Sequence, residues 1–134
     1  MLEGELLILQ PDSSKPIYIQ IAEWLETLIL QNEFKEHEQV YSQYKLAEMF
    51  TINPATAAKG LNVLADEGIL YDRRGIGKFV AERAKEKIKE KRKTELSNHL
   101  VKKLVREAKY LHVTEKELID IVQKTYQEMK GEEK

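Results

Sequence analysis

Apolar and polar positions between Tyr44 and Leu70 follow two helical patterns that meet at a short turn. In the first pattern, Leu46, Ala47 and Phe50 fall on one face. In the second, apolar residues recur at i, i+4, i+7 and i+8, a spacing that predicts an amphipathic helix. These residues are Ala57, Leu61, Leu64 and Ala65. Two short helices joined in this way predict a helix-turn-helix.

The second helix has clear start and stop signals. The side chain of Asn53 can accept hydrogen bonds from free backbone N–H groups, and Pro54 suits the first helical position because it has no N–H to lose. Gly68 suits the left-handed residue that often follows a last turn. We therefore expect this helix to end near Asp66 or Glu67.

A preceding helix should pack against this motif. Apolar residues recur at helical spacing from Pro16 onward, with Ser14 available as a cap. They are Ile17, Ile21, Trp24, Leu25, Leu28 and Ile29, and we interpret Trp24 as a core residue. Gly60 lies in the middle of the second motif helix at a cost of about 1 kcal/mol relative to alanine. We expect another helix to cross very close to it.

Two β-prone segments follow, Ile69–Tyr71 and Lys78–Ala81, and the glycines between them predict a hairpin. A hairpin directly after the second helix makes the motif a winged helix. Arg73, Arg74 and Lys78 lie on or beside its tip, where they can reach DNA phosphates or the minor groove. A basic hairpin can also be ordinary surface, and that alternative stays open at this point.

The remainder of the chain predicts a helical hairpin. No proline or glycine interrupts Glu82 to about Tyr110, and Thr114 stands three residues before Glu117 in a capping-box pattern. Two such helices cannot bury both of their apolar stripes, so we expect them to pack against a second copy of the chain. The residues predicted to form this dimer interface are Leu96, Leu100, Leu104, Leu111, Leu118, Ile121, Val122 and Tyr126.

The pattern as a whole predicts a mainly α fold with a small β-hairpin wing. In this interpretation a winged helix-turn-helix is followed by a C-terminal helical hairpin. We divide the chain into an N-terminal lead-in (1–15), a winged domain that binds DNA (16–81) and a two-helix dimerisation domain (82–134).

Composition excludes several classes of protein. The 134 residues are 42% hydrophobic and 34% charged, which fits a globular chain, and the absence of cysteine excludes disulfides and thiolate metal sites. No apolar run approaches the roughly 18 residues that a membrane helix needs, so we expect a cytoplasmic protein. His37, His99 and His112 lack the spacing of a metal site or a catalytic triad. We therefore expect no metal, no cofactor and no enzymatic activity.

The net charge of −1 argues against a strongly basic nucleic-acid binder, but the charge is unevenly distributed. Residues 82–93, called the basic segment below, carry seven basic and three acidic side chains. This segment is either a solvated helix with Glu/Lys pairs or a flank that follows DNA phosphates.

Two stretches of the chain support a family resemblance. KPIYIQIAEWLETLIL (15–30) and YSQYKLAEMFTINPATAAKGLNVLADEGILYDRRGIGKFVA (41–81) resemble the winged-helix domain of the GntR family of bacterial transcription regulators. The most specific features are the segments 16–21, 53–56 and 67–77. The short tail looks like that of the YtrA-like subfamily.

The resemblance implies a dimeric, sequence-specific DNA-binding regulator, most simply a repressor of a transporter operon or of its own operon. Its operator would be double-stranded DNA with an inverted repeat. Tyr44 stands where the family has a DNA-contacting arginine, and Ala58 leaves no long side chain at a position of the recognition helix where many members have arginine. The residues predicted to contact DNA are Ser42, Tyr44, Lys45, Asn53, Ala55, Thr56, Lys59, Arg73, Arg74, Gly75 and Lys78.

A second function stays open, in which the winged helix binds proteins and not a specific DNA sequence. The acidic balance of the winged domain and its few arginines favour this alternative, whereas the wing and the basic segment oppose it. A small-molecule effector would have no evident pocket within the tail. We would expect it at the dimer interface or between the tail and the winged helix.

Overall fold

The computed structural model describes residues 9–10 and 14–132, so most of the predicted lead-in lies outside the described residues. The winged part contains α1 (Ile17–Leu30), α2 (Gln43–Phe50), α3 (Pro54–Asp66), β1 (Leu70–Arg73) and β2 (Gly77–Val80). It is followed by α4 (Ala84–Glu95), a π-helical turn (Leu96–Leu100), α5 (Val101–Tyr110), α6 (Glu115–Met129) and a 3₁₀ turn (Lys130–Glu132). This confirms the predicted winged helix-turn-helix with a helical tail.

The chain forms two compact units that meet between Lys91 and Arg92. One hydrophobic core holds the first unit together, and Trp24 lies in it as predicted, with 7% of its surface exposed. The core also includes Ala84 and Ile88 from α4, which are both fully buried. The first turns of α4 are therefore packed as part of the winged unit.

The start of α1 differs from the expectation. Ser14 does not cap the helix, because α1 begins at Ile17 and Pro16 occupies the cap position without a side-chain hydrogen bond. The incoming chain is instead held by Gln20, which is nearly buried. Its side-chain amide donates to the Lys15 carbonyl at 2.9 Å and accepts from the backbone N–H of Gln10 at 3.0 Å.

Helix α3 confirms both of its predicted ends. The Asn53 side chain accepts a hydrogen bond from the N–H of Ala55 at 2.8 Å, and Pro54 occupies the first turn. The helix ends at Asp66, and Gly68 adopts a left-handed φ of 76°. Local capping chemistry therefore determines where this helix begins and ends.

Gly60 marks the predicted close crossing, and α1 is the helix that crosses there. A Cβ atom at Gly60 would lie 2.8 Å from the backbone carbonyl oxygen of Tyr18 and 3.5 Å from the side chain of Ile21. Since a carbonyl oxygen in a helix cannot rotate away, any side chain at this position must separate the two helices.

We expect Gly60→Ala to lower the free energy of unfolding by about 1–3 kcal/mol, because the overpacking outweighs the gain of about 1 kcal/mol in helix propensity. Urea unfolding monitored by circular dichroism would measure the change. Gly131→Ala is a suitable control, because a Cβ atom at that position would have no neighbouring atom within 4 Å. An unfolding free energy of Gly60→Ala equal to or above that of the wild type would contradict the close crossing.

The wing is a two-stranded antiparallel hairpin in which Leu70 pairs with Val80 and Arg73 pairs with Gly77. Pairing extends further toward the tip than predicted on both strands, because the turn needs only three residues, 74–76. Gly75 and Gly77 have φ values of 76° and 145°, which allow this tight turn. Ala81 lies beyond β2, although its N–H still donates to the Ile69 carbonyl at 2.9 Å.

The tail helices differ from the prediction in two respects. The helix expected from Glu82 begins at Ala84, since Arg83 has a positive φ of 64°, and the π-helical turn interrupts its α-helical winding. The capping box before α6 is confirmed, with Thr114 and Glu117 each accepting the other's backbone N–H. Hydrogen bonds from the backbone and hydroxyl of Thr114 hold the pKa of Glu117 below its ordinary value.

Candidate nucleic-acid interface

The first turn of α3 presents an exposed polar surface. Asn53, Ala55 and Lys59 are exposed and Thr56 is half-buried, whereas Ala57 on the opposite face is fully buried. The Oδ1 atom of Asn53 is occupied by the cap, so its amide NH₂ group remains to donate outward. The Lys59 ammonium lies 4.3 Å from the centre of the Tyr18 ring, a cation–π contact that holds it beside the helix.

The start of α2 offers a second helix N-terminus. The hydroxyl of Ser42 accepts from the N–H of Lys45 at 3.0 Å and caps the helix. The Tyr44 side chain is 70% exposed, and the Lys45 ammonium lies 3.7 Å from Glu48. The partial positive charge of a helix N-terminus favours an anion such as a DNA phosphate.

The basic residues of the wing have unequal surroundings. The guanidinium of Arg73 lies 5.1 Å from the centre of the Phe79 ring, and Lys78 forms a 2.5 Å ion pair with Asp72. Arg74 is exposed and, among the residues that the structure describes, has neither an ion pair nor a hydrogen bond. Arg74 is therefore the wing residue best able to reach an external anion.

A groove of about 750 Å³ separates the start of α2 from the wing. Its lining brings together six of the residues predicted to contact DNA, namely Ser42, Tyr44, Arg73, Arg74, Gly75 and Lys78. Asn53, Ala55, Thr56 and Lys59 do not line it, since they lie along the start of α3. Ten of the eleven predicted residues therefore form two neighbouring sets, one on α3 and one around the groove, while Lys45 lies on α2 outside the groove lining.

The sequence of the chain matches a known family of proteins. The model of the bacterial regulatory proteins, gntR family, matches residues 17–80. The transcriptional repressor YtrA of Bacillus subtilis (strain 168) is 31% identical over 129 residues, which cover 96% of this chain and 98% of that repressor. The chain belongs to the GntR family. It is thus a DNA-binding transcription regulator, and its family is one of regulators and not of enzymes.

Solved structures of similar proteins agree with this assignment. A GntR family transcriptional regulator from Listeria monocytogenes is 28% identical, with a TM-score of 0.69 over 84% of this chain and 97% of that one. The DNA-binding domain of AraR, solved in complex with an operator, is also 28% identical, with a TM-score of 0.51 over 56% of this chain and 93% of that one. The fold of this GntR protein is therefore one that is known in an operator complex.

Gln39 is a residue of the wing region that sequence reasoning did not identify. Its side-chain amide donates to the carbonyl of Ile76 at the wing tip at 3.0 Å. A Cβ at Gly77 would lie 2.7 Å from that amide nitrogen, so glycine there makes room for the contact. No local pattern reveals it, because the two residues are 37 positions apart.

The basic segment of this GntR protein has a use that neither sequence interpretation foresaw. Lys85 donates to the Asn32 side chain at 2.9 Å, and Lys87 donates to the Gly68 carbonyl at 3.1 Å. Lys91 forms ion pairs with Glu26 and Glu67. Three of its cations therefore face the winged unit, and only the others remain candidates for phosphate contact.

The tail carries the apolar surface that the dimer prediction requires. Seven of the eight predicted interface residues are at least 38% exposed, and Leu118 is half-buried. A groove of about 470 Å³ lies between α5 and α6, lined by Leu104, Leu118, Ile121, Val122, Thr125, Tyr126 and Met129. Its size reaches that of an ordinary ligand pocket. The expectation that the tail has no such room therefore needs correction.

His37 contacts a side chain of the wing. His37 lies 2.9 Å from the Tyr71 hydroxyl through its Nδ1 atom, and it is exposed on a loop. Across the described residues, no group of three potential ligands is placed to hold a metal ion. None of the helices in that part of the chain combines the length and the apolar character that a membrane crossing requires.

Proposed function

We propose that the protein is a homodimeric repressor that reads an inverted-repeat operator through the start of α3. The observation that supports this most strongly is the exposed first turn of α3 beside the groove between α2 and the wing. A helix with this exposure can enter the major groove while the neighbouring surface follows the backbone. The family assignment favours this function over a module that binds only proteins.

The residues that we assign to contact with the bases have short side chains. The methyl groups of Ala55 and Ala58 suit contact with thymine methyls, the Thr56 hydroxyl can form a hydrogen bond with a base edge, and the Asn53 amide can donate to base acceptors. No long side chain projects from position 58, so direct reading is modest. We expect specific binding to exceed random binding by a factor near the low end of about 10³ to 10⁷.

We assign the phosphate contacts to residues that line the groove between α2 and the wing and to the helix N-termini. Arg74 is exposed and available, and the capped start of α2 presents backbone N–H groups beside Tyr44. A tyrosine hydroxyl can donate one hydrogen bond to a phosphate, where an arginine would give a bidentate, charged contact. We infer that Tyr44 positions the backbone more weakly than the arginine that the family usually has there.

In this proposal the tail binds a second copy of the chain. Its exposed stripe of leucine, isoleucine, valine and tyrosine side chains would be buried in a dimer, which would also cover the groove between α5 and α6. We further propose that the protein acts in the cytoplasm on a transporter operon or on its own operon. An effector, if one regulates it, would bind near this interface.

Selection of bound fragments from the fragmented host genome tests the function. We expect enrichment of short inverted repeats, with half-sites about one helical turn or a multiple apart. DNase footprints on the enriched fragments should protect both half-sites. A chain that binds only proteins would enrich no sequence, and protection of single, unrepeated sites would contradict the dimeric operator.

Asn53 offers a way to separate helix capping from DNA reading. Asn53→Asp keeps the capping oxygen but replaces the outward NH₂ donor with a negative charge. We expect this variant to keep the wild-type melting temperature, yet to lose operator affinity by roughly 1–3 kcal/mol or more. Asn53→Ala should in addition lose about 1 kcal/mol of stability. Thermal unfolding and operator titration of both variants test this, and wild-type affinity of Asn53→Asp would exclude a reading role.

A further inference from the structure

We propose that Lys91 is a positioning residue for operator binding, which fixes α4 on the winged unit and thereby sets the half-site spacing that the dimer accepts. This inference rests on the dimeric function proposed above. It gives a residue of the basic segment a role that does not involve DNA phosphates.

Lys91 joins three helices through one ammonium group. It donates a short hydrogen bond to the carboxylate of Glu26 on α1, and a second, of 2.7 Å, to Glu67 at the C-terminal end of α3. Glu26 is only 1% exposed, and a buried carboxylate is costly unless it is paired. The ion pair therefore requires α4 to lie where Lys91 can reach both carboxylates.

The Lys91 ammonium group is positively charged at neutral pH. Partial burial by itself would lower the pKa of Lys91, but the hydrogen bonds and charges of Glu26 and Glu67 outweigh it and raise the pKa above its ordinary value. Lys91 therefore keeps the charge with which it binds both carboxylates.

Neighbouring contacts fix the same face of α4. Ala84 and Ile88 are fully buried in the core of the winged unit. Lys85 reaches the end of α1 at Asn32, and Lys87 reaches the carbonyl of Gly68 just after α3. The direction of α4 is therefore tied to the ends of both helices, including the recognition helix.

This attachment bears on DNA binding because α4 leads directly into the tail. Helical elements continue to Tyr110, and the leucines of the proposed interface begin at Leu96. When the two winged units of a dimer are held in one geometry, the second unit meets its half-site at a high effective concentration only if the two half-sites have one particular spacing. If α4 were held less firmly on the winged unit, the dimer would bind operators of several half-site spacings with similar affinity.

The test uses the full-length protein with Glu26→Met and Lys91→Met combined. Replacing both partners leaves no buried charge unpaired, and the net charge is unchanged. Glu86→Met with Lys89→Met is the matched control, because both residues are exposed on α4 and, within the described part of the chain, have no ion pair. Glu67→Gln removes the negative charge of the α3 partner, which weakens that contact, and leaves the buried pair intact.

The probes are duplexes that carry two copies of the half-site recovered by selection, at spacings varied by single base pairs, and a duplex with one copy. We expect the wild type and the control to prefer one spacing by about tenfold or more. The double variant should bind the single half-site like the wild type, but its affinities across spacings should differ by less than about threefold. Glu67→Gln should give an intermediate profile.

The proposal would be overturned if a cooperatively folded double variant kept the wild-type spacing profile, or if the wild type had no spacing preference. Should the double variant fail to fold, Glu67→Gln decides, and a wild-type profile for it counts against the proposal. Failure of the proposed function looks different, since the wild type would then sediment as a monomer or enrich no sequence.

Discussion

Replacing Leu100 and Leu104 with glutamine should convert the protein to a monomer and lower its operator affinity by about 10²–10⁴-fold. The two leucines are 56% and 45% exposed, so the change removes little packing within one chain. In a dimer, however, it would place polar amides in an apolar interface. Since binding of the second half-site is then no longer intramolecular, most of the affinity is lost. Sedimentation and operator titration would measure both effects.

Ser97→Gln with Asn98→Gln is the matched control, because it adds the same side chains to the π-helical turn that holds Leu100 without removing leucines. On a duplex with one half-site, all three proteins should bind alike. A leucine double variant that remained dimeric would place the interface elsewhere. A fragment that lacks the tail should extend to Lys91, because ending it at Ala81 would remove Ala84 and Ile88 from the core.

Arg74→Ala should weaken binding to all DNA sequences about equally and flatten the dependence of affinity on salt. With roughly four phosphate contacts per protomer, a plot of log K against log salt should have a slope near −7, and losing Arg74 from both protomers should reduce its magnitude by about 2. Lys78→Ala should change the slope less, because Lys78 is paired with Asp72 and its side chain is only 15% exposed.

Thr56→Val should act in the opposite way. Valine keeps the shape of threonine and removes only the hydroxyl, so stability should hardly change, whereas operator binding should weaken by roughly 1–3 kcal/mol. Binding to random DNA should stay the same, because the phosphate contacts are intact. Salt titrations of the wild type and the three variants on operator and random duplexes separate these roles. If Arg74→Ala abolished only operator binding while Thr56→Val changed nothing, the wing would be the reader.

Much of the fold followed from chemistry that acts within a few residues. Asn53, Pro54 and Gly68 specify the ends of α3, and the Thr114/Glu117 box specifies the start of α6. Caps and glycine turns act through neighbouring backbone groups, so a sequence displays them directly. The same local reasoning was wrong at Ser14, which does not cap α1. The nearly buried side chain of Gln20 instead binds the backbone of the residues that precede the helix.

Sequence patterns alone predicted the winged helix, both ends of α3, the glycine at a close helix crossing and the resemblance to the GntR family. Contacts between distant parts of the chain established which carbonyl approaches Gly60, that Gln39 binds the wing tip, and that Lys91 pairs with Glu26 across 65 positions. These contacts also show which basic residues hold α4 on the winged unit. The physical reason is that a charged side chain looks the same in sequence whether its partner is a phosphate or a distant carboxylate. Packing of α1, α3 and α4 around one core makes that choice.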